Sequence, residues 1–297
     1  MKPKRATFWF YLMAGPAIMG FLAFAMIPML YSLYLSFTKY TVVNPPEWIG
    51  IDHYIYLFKH DPSFWTSVKV TLVFAAIQVP VALITSLSLA LLLNCPMRFR
   101  GIFRTIYYMP SILPSAASAA IFVFIFNPEY GLLNTMLARI GIEGPAWLDD
   151  SVWALPTLIL ISLWGFGNAM LIFLGGLQGV ARSLYEAASI DGAGTWRRFF
   201  HVTLPQISPV FFFNLVMGVI GALRVFDLAY AFGAAQGKIP GGPAQSTLFY
   251  VLNLYQKAFN YFHMGQASAM AWILFAVTVG LTWINFRFAN KWVHHDH

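Results

Sequence analysis

Six runs of this chain, 8–37, 70–97, 105–128, 151–181, 202–223 and 258–286, contain no Asp, Glu, Lys or Arg. An α-helix rises 1.5 Å per residue, so about 20 residues cross the ~30 Å hydrocarbon layer of a bilayer. Each run is long enough to span, with residues left over for polar ends. A water-soluble domain cannot hide six such segments. The composition agrees, with 59% hydrophobic and 10% charged residues. The expected fold is an all-α membrane protein, a polytopic bundle of six transmembrane helices forming one domain over 1–297. The basic "MKPKR" before the first run resembles the start of a signal peptide. That run far exceeds a signal core of about 7–15 residues and ends without a small-residue cleavage pattern, so it is read as a retained span.

Lys and Arg set the orientation, because cytoplasmic loops carry their excess. With the N-terminus inside, the cytoplasmic side receives Lys2, Lys4, Arg5, Arg98, Arg100, Arg104, Arg182, Arg197, Arg198, Arg287 and Lys291. Lys39, Lys59, Arg139, Lys238 and Lys257 fall outside, Lys69 at an outer interface and Arg224 within a span. Both termini are therefore expected in the cytoplasm. This topology accounts for the net charge of +7. No basic face remains for nucleic acid. The single cysteine, Cys95, excludes a disulfide framework or a thiolate metal site within the chain. The terminal "HHDH" is read as incidental, so no metal is assigned.

Three outer loops carry turn signals: Pro-Pro in the first, Gly131, Gly141, Gly144 and Pro145 in the second, and "PGGP" in the third. After the third, "STLFYVLNLYQKAFNYFHMGQ" reads as a short helix leading into the last span.

Between the fourth and fifth runs lies "EAASIDGAGTWRRFFHVTLP", 186–205, within a cytoplasmic segment 179–205. Ser183 and Glu186 have the spacing of a capping box, which predicts a helix start. Gly192 and Gly194 supply residues that tolerate the left-handed region and close the helix. Thr195 can cap a second helix, "WRRFFHV", predicted to stop at Leu204 because the residue before Pro205 resists the α conformation. The result is a cytoplasmic helix–turn–helix. Small residues at its elbow suit the close approach of another surface.

These residues resemble the EAA loop of permease subunits in bacterial ABC importers: Glu186, Ala187, Ala188, then Asp191, Gly192, Ala193, then Leu204, Pro205 and Pro209. "AGPAIMGFLAFAMIPMLYSLYLSF", "FRGIFRTIYYMPSILPSAASAAIF", "VFDLAYAF" and "AFNYFHMGQASAMAWILF" are similar to the carbohydrate-uptake branch, of the maltose and glycerol-phosphate type. Ala234 and Ala235 replace a Thr-rich turn common in that branch. The resemblance implies a multi-pass protein of the bacterial inner membrane. It implies pairing with a second homologous permease, two ATP-binding subunits and an extracytoplasmic substrate-binding protein, with a carbohydrate as substrate. ATP and Mg would sit on the ATPase, and no cofactor on this chain. Glu186, Ala187, Ala188, Asp191, Gly192, Ala193, Arg197, Leu204 and Pro205 would couple to the ATPase. The chain has no GxxxxGK[ST] sequence, so it is expected to be non-catalytic.

For the substrate path, Trp164, Gly165 and Asn168 lie near mid-depth of the fourth run, and Asn214, Gly218 and Gly221 of the fifth. An aromatic ring on a sugar face with amides on its hydroxyls is the chemistry a carbohydrate site needs. Arg224 and Asp227, three residues apart, are expected to pair on one helix face or to line the path. Pro80, Pro110 and Pro114 can kink their helices. A polyol ester such as glycerol-3-phosphate is the alternative substrate. An ion-coupled secondary transporter is the alternative class, though it would call for inverted repeats and midplane carboxylates, and Asp227 is the only acid read as lying within a span.

Overall fold

The structure, a computed structural model, describes residues 3–238 and 240–289, with side chains for 12–238 and 240–288. The terminal "HHDH", Lys2 and Lys291 lie outside the described residues.

Three helices are each long and apolar enough to cross a bilayer: Leu12–Leu35, Pro62–Asn94 and Met264–Phe288. Three more segments qualify only as bent pairs. They are Arg100–Ile112 with Ser115–Ile125 (98°), Ala154–Gly165 with Gly167–Gly179 (46°) and Thr195–Gln206 with Ser208–Leu223 (68°). The chain is thus mostly helical, with three to six candidate spans, and each charge-free run overlaps one of them.

The bends have local causes. Leu113 adopts an extended conformation (ψ 136°) ahead of Pro114, and Pro110 opens the 3-10 turn Met109–Ile112. Pro110 and Pro114 therefore bracket the 98° bend as the sequence suggests. Pro80 does not break its helix, which runs unbroken over Pro62–Asn94. Pro205 also departs from expectation. The helix passes through it to Gln206 and breaks at Ile207, just ahead of Pro209. A π-turn over Phe199–Thr203 lies immediately upstream. A proline ring inside an α-helix strikes the carbonyl four residues back, and the wider π-turn relieves that crowding. The same arrangement, a π-turn at Leu22–Met26, precedes Pro28.

The described residues group into two compact units, 3–62 with 254–276 and 63–253 with 277–289. In the first, residues 38–39 and 47–48 form a small antiparallel ladder, pairing Thr38 with Trp48. The helix Asp52–Lys59 follows, with Leu57 fully buried. Buried Asp61 and half-buried Lys257 form an ion pair at 2.7 Å. His53 Nε2 donates to the Thr38 carbonyl at 2.9 Å. A Cβ on Gly265 would collide with both Thr38 and His53, so only glycine permits this approach.

In the second unit, Phe74 and Phe249 meet edge-on at 5.0 Å within a core that includes Met170, Phe173 and Leu252. The Asn253 amide donates to Ser63 and Ser67, and the Thr71 hydroxyl accepts from the Tyr250 N–H at 2.8 Å. These bonds hold the short helix Tyr250–Tyr255 that the sequence anticipates. Asn134 organises the second outer loop. Its amide donates to the Pro128 and Pro145 carbonyls and accepts from the Trp147 indole at 2.6 Å. The helix Asp227–Ala235, which the sequence reading did not foresee, packs on Ser115–Ile125. In the third loop the glycines at 241 and 242 take positive φ, and Pro243–Gln245 forms a single 3-10 turn.

Burial holds the His53 pKa below its usual 6.5, reinforced by His263 and opposed by the Thr38 carbonyl bond and Asp52. The folded chain therefore keeps this imidazole neutral, while the unfolded chain protonates it near 6.5. Its stabilising contribution is complete above about pH 6.5 and is lost as pH falls below that value. In detergent, the melting temperature should fall on acidification through this window, and it should fall less in His53→Gln.

Candidate functional site

The helix–turn–helix is built from Arg182–Ile190, a turn, and Thr195–Arg198 continuing through the π-turn to Gln206. Its first helix starts earlier than the capping-box reading requires. Ala181 is the N-cap and makes no side-chain cap bond, so Ser183 lies inside the first turn. Glu186 instead faces Arg182 at 3.4 Å, one helical turn away, and both side chains are exposed. Such a solvent-facing pair contributes a few tenths of a kcal/mol, about 0.3–0.5.

The turn itself follows the sequence closely. Gly192 has φ +74°, its N–H bonds the Ser189 carbonyl at 3.1 Å, and the Ala193 N–H bonds the Ala188 carbonyl at 2.9 Å. These two bonds make a Schellman closure, which satisfies carbonyls at the helix end and needs a left-handed residue at this position. No neighbouring atom lies within 4 Å of a Cβ built on Gly192. A substitution there meets backbone strain of about 1–2 kcal/mol rather than a clash. Gly194 has φ −67°, open to any residue, and is itself the N-cap of the second helix in place of Thr195. The Tyr185 and Thr203 hydroxyls meet at 2.9 Å and tie the two helices together.

Glu186, Ala187, Asp191, Gly192 and Arg197 are exposed, while Ala188, Ala193, Leu204 and Pro205 are half-buried. The structure adds Ile190, 87% exposed, and Trp196, 77% exposed and stacked on Phe200. Large apolar side chains fully out on a polar helical elbow mark a contact surface. The sequence carries Ile190 and Trp196 in plain view, beside the turn.

A second site lies among Pro62–Asn94, Ala154–Gly179 and Ser208–Leu223, as an open cavity of about 340 Å³. Of the eight residues assigned to a substrate path, Gly165, Asn168, Asn214 and Gly218 line it together. Gln78, Ser86, Ser162, Phe166 and Phe213 complete the polar and aromatic lining. Gln78, Ala82 and Ser86 recur every four residues, a small and polar stripe on an apolar helix that sequence periodicity could have found. The 46° bend at 165–167 supports the site, and the Ser86 hydroxyl donates to the Phe166 carbonyl there at 3.4 Å. The lining presents amides and hydroxyls and no charged side chain.

The other four residues lie apart from the cavity. Trp164 packs edge-on against Phe122 at 4.9 Å, and Gly221 is exposed on its helix. Arg224 and Asp227 do not pair among the described residues. The helix ends at Leu223, Arg224 caps it, and Asp227 opens the next helix after a non-helical Phe226. The i, i+3 geometry thus lacks the continuous helix it needs.

A model of the family described as "binding-protein-dependent transport system inner membrane component" matches residues 78–293. A Bacillus subtilis protein named a probable ABC transporter permease, YesP, is 42% identical over 96% of this chain and 92% of its own. The Agrobacterium fabrum sulfoquinovosyl glycerol transport system permease protein SmoG is 35% identical over 93% and 88%. The Yersinia enterocolitica sn-glycerol-3-phosphate transport system permease protein UgpA is 36% identical over 84% and 83%. In fold, the chain matches a crystal structure of a bacterial ABC transporter involved in alginate import, with TM-score 0.83, 24% identity and coverage of 97% and 96%.

A Cβ on Gly167 would stand 2.9 Å from the Tyr107 carbonyl and Tyr108 Cα, both backbone atoms that cannot yield cheaply. Gly167→Ala should therefore destabilise the protein by about 1–3 kcal/mol, as overpacking does, and lower its melting temperature in detergent. Gly165→Ala, with open space around the Cβ, should not.

Proposed function

This chain belongs to the family of binding-protein-dependent transport system inner membrane components, and from that premise we propose that it is the non-catalytic permease subunit of an ATP-driven carbohydrate importer in the bacterial inner membrane. In this reading six spans cross the bilayer with both termini in the cytoplasm, and 179–205 is a cytoplasmic coupling loop within a single transmembrane domain 1–297. A second permease completes the translocation path, and two ATP-binding subunits receive the loops. An extracytoplasmic binding protein delivers the substrate. ATP and Mg belong to the ATPase.

The observation that carries the reading is the Schellman turn at Gly192, with Glu186, Asp191, Ile190 and Trp196 exposed around it. A loop that transmits force needs a short rigid helix, a fixed closure and a contact surface, and this segment has all three. Glu186, Ala187, Ala188, Asp191, Gly192, Ala193, Arg197, Leu204 and Pro205 form the coupling element. Tyr185 and Thr203 brace it.

The cavity at Gly165, Asn168, Asn214 and Gly218 is the part of the path this chain supplies. Amides and hydroxyls beside Phe166 and Phe213 suit a polyhydroxylated ligand. A polyol ester such as glycerol-3-phosphate is the second reading, favoured by the UgpA relative. The uncharged lining weighs toward a neutral sugar, since a desolvated phosphate calls for cationic partners. Trp164, Gly221, Arg224 and Asp227 would join the path only in another conformation or with the second permease present.

Native mass spectrometry of the gently extracted complex tests the assembly. One copy of this 33.4 kDa chain, one different permease and two ATPase subunits are expected. A lone chain, or a homo-oligomer without ATPase, would sink the proposal and favour an ion-coupled transporter. Gly192→Asp tests the coupling: membrane levels should stay normal while ATP-driven uptake is lost. Undiminished uptake would count against the loop's role.

A further inference from the structure

Below the helix–turn–helix lies a cavity of about 530 Å³ that neither the coupling surface nor the substrate path uses. Its walls come from the end of the Pro62–Asn94 helix and the loop after it (Leu91, Asn94, Cys95, Pro96), from Leu177, and from the helix–turn–helix (Tyr185, Thr195, Arg198, Phe199, Thr203). Its lining is therefore partly apolar, with hydroxyls, an amide and a guanidinium among it.

The charge around it is one-sided. Arg198 lines the pocket, half-buried, and among the described residues its guanidinium meets no carboxylate. Directly behind Asn94 stand Arg100 and Arg104, one turn apart on the Arg100–Tyr108 helix. Arg100 Nη2 donates to Asn94 Oδ1 at 3.3 Å. The Gln178 amide, oriented with its oxygen toward the arginines, accepts from Arg104 at 2.7 Å and Arg100 at 2.9 Å. Two guanidinium groups thus converge on neutral amides alone, and the Nε of each is buried without a hydrogen-bond partner among the described residues. Glu186, the nearest acid in sequence to the pocket wall at Tyr185, is turned to Arg182 in solvent. Partly buried cations without a counter-ion are costly, and their combined field attracts an anion. With its oxygen held by Arg100, Asn94 offers the pocket its N–H donors.

We propose that this pocket binds a phosphate-bearing molecule, with the phosphate on Arg198 and Asn94 and the remainder against Leu91, Leu177 and Phe199. Guanidinium and amide donors match phosphate oxygens, whereas the apolar side chains and the Thr195 hydroxyl accommodate an organic substituent. A ligand here bridges the loop after the Pro62–Asn94 helix to the helix–turn–helix, so its presence holds the latter in one position. The site would thereby report the supply of phosphorylated molecules to the element that moves. Binding is a property of this chain alone and stands or falls separately from the importer reading.

Cys95 supplies the assay, because it is exposed, lines the pocket and is the sole cysteine. The full chain, in nanodiscs of phosphatidylcholine, is treated with a maleimide and the modified fraction is followed by intact mass. The probes are inorganic phosphate, glucose 6-phosphate and, as an uncharged control, glucose. A parallel arm replaces part of the lipid with phosphatidylglycerol. At a probe concentration ten times its Kd, labelling should slow about tenfold, the free fraction left by mass action. Glucose should have no effect. Slowing by glucose 6-phosphate or inorganic phosphate assigns a soluble ligand. Slowing only in phosphatidylglycerol assigns a lipid headgroup. Arg198→Gln should abolish the protection and Arg198→Lys retain part of it, each compared with its own unliganded labelling rate, and a melting temperature equal to wild type is the check on folding. Labelling unaffected by every probe, or protection that survives Arg198→Gln, would overturn the proposal.

Discussion

The governing constraint in this protein is the backbone amide in an apolar setting. With only 10% charged residues and six charge-free runs, the chain has to satisfy its N–H and C=O groups within each segment, which helices do and irregular chain does not. Every departure from a straight helix is therefore informative. Pro62–Asn94 runs unbroken although it carries Pro80. The bent ones each carry a proline or glycine arrangement at the bend, and irregular backbone occurs where another part of the chain or a cavity receives it. The bend at 165–167 is the clearest case. It brings Asn168 to the cavity, admits the Tyr107–Tyr108 backbone against Gly167, and gives the Phe166 carbonyl a partner in Ser86.

The same reasoning explains how proline is used. Sequence rules treat Pro205 as a stop, because an α-helix cannot carry its ring. Phe199–Thr203 relaxes into a π-turn instead, and the helix continues to Gln206. The break moves to Ile207, ahead of Pro209, where the chain turns by 68° into Ser208–Leu223. The second helix of the helix–turn–helix is thus continuous with the approach to the next apolar helix. Only Ile207 separates the two, and the Tyr185–Thr203 bond ties the first helix to the second.

Much of this was legible in the sequence, and the residues that were not share a physical reason. The charge-free runs located the helices, and Gly192 announced its turn, because both signals are local. The capping box at Ser183 and Glu186 failed on register: the helix began two residues early, so the hydroxyl lost its N-cap position and Glu186 took Arg182 as its partner. The Arg224–Asp227 pair failed because i, i+3 logic presumes an unbroken helix, and nothing in "ALRVFDL" marks the break at 224–226. Trp164 had the right chemistry and the right depth, but its ring found Phe122 in a neighbouring segment. Which side chains face a shared cavity depends on packing between segments distant in sequence. Gln78 and Ser86, eighty or more residues from Asn168, illustrate the point.

Burial of polar groups separates the two faces of the molecule that the proposals concern. In the cavity of Gly165 and Asn214, the polar groups are neutral, and the Asn214 side-chain amide already donates to the Val210 carbonyl at 3.0 Å. A neutral lining can release its ligand, because hydroxyl groups exchange one neutral hydrogen bond for another at a net cost near 1 kcal/mol each. Around Asn94 the opposite holds, with arginines gathered and no carboxylate to meet them among the described residues. Charge-assisted bonds are roughly twice as strong and hold their partners longer. A passage through which substrate must move is served by the first kind of lining, and a contact that fixes one conformation by the second.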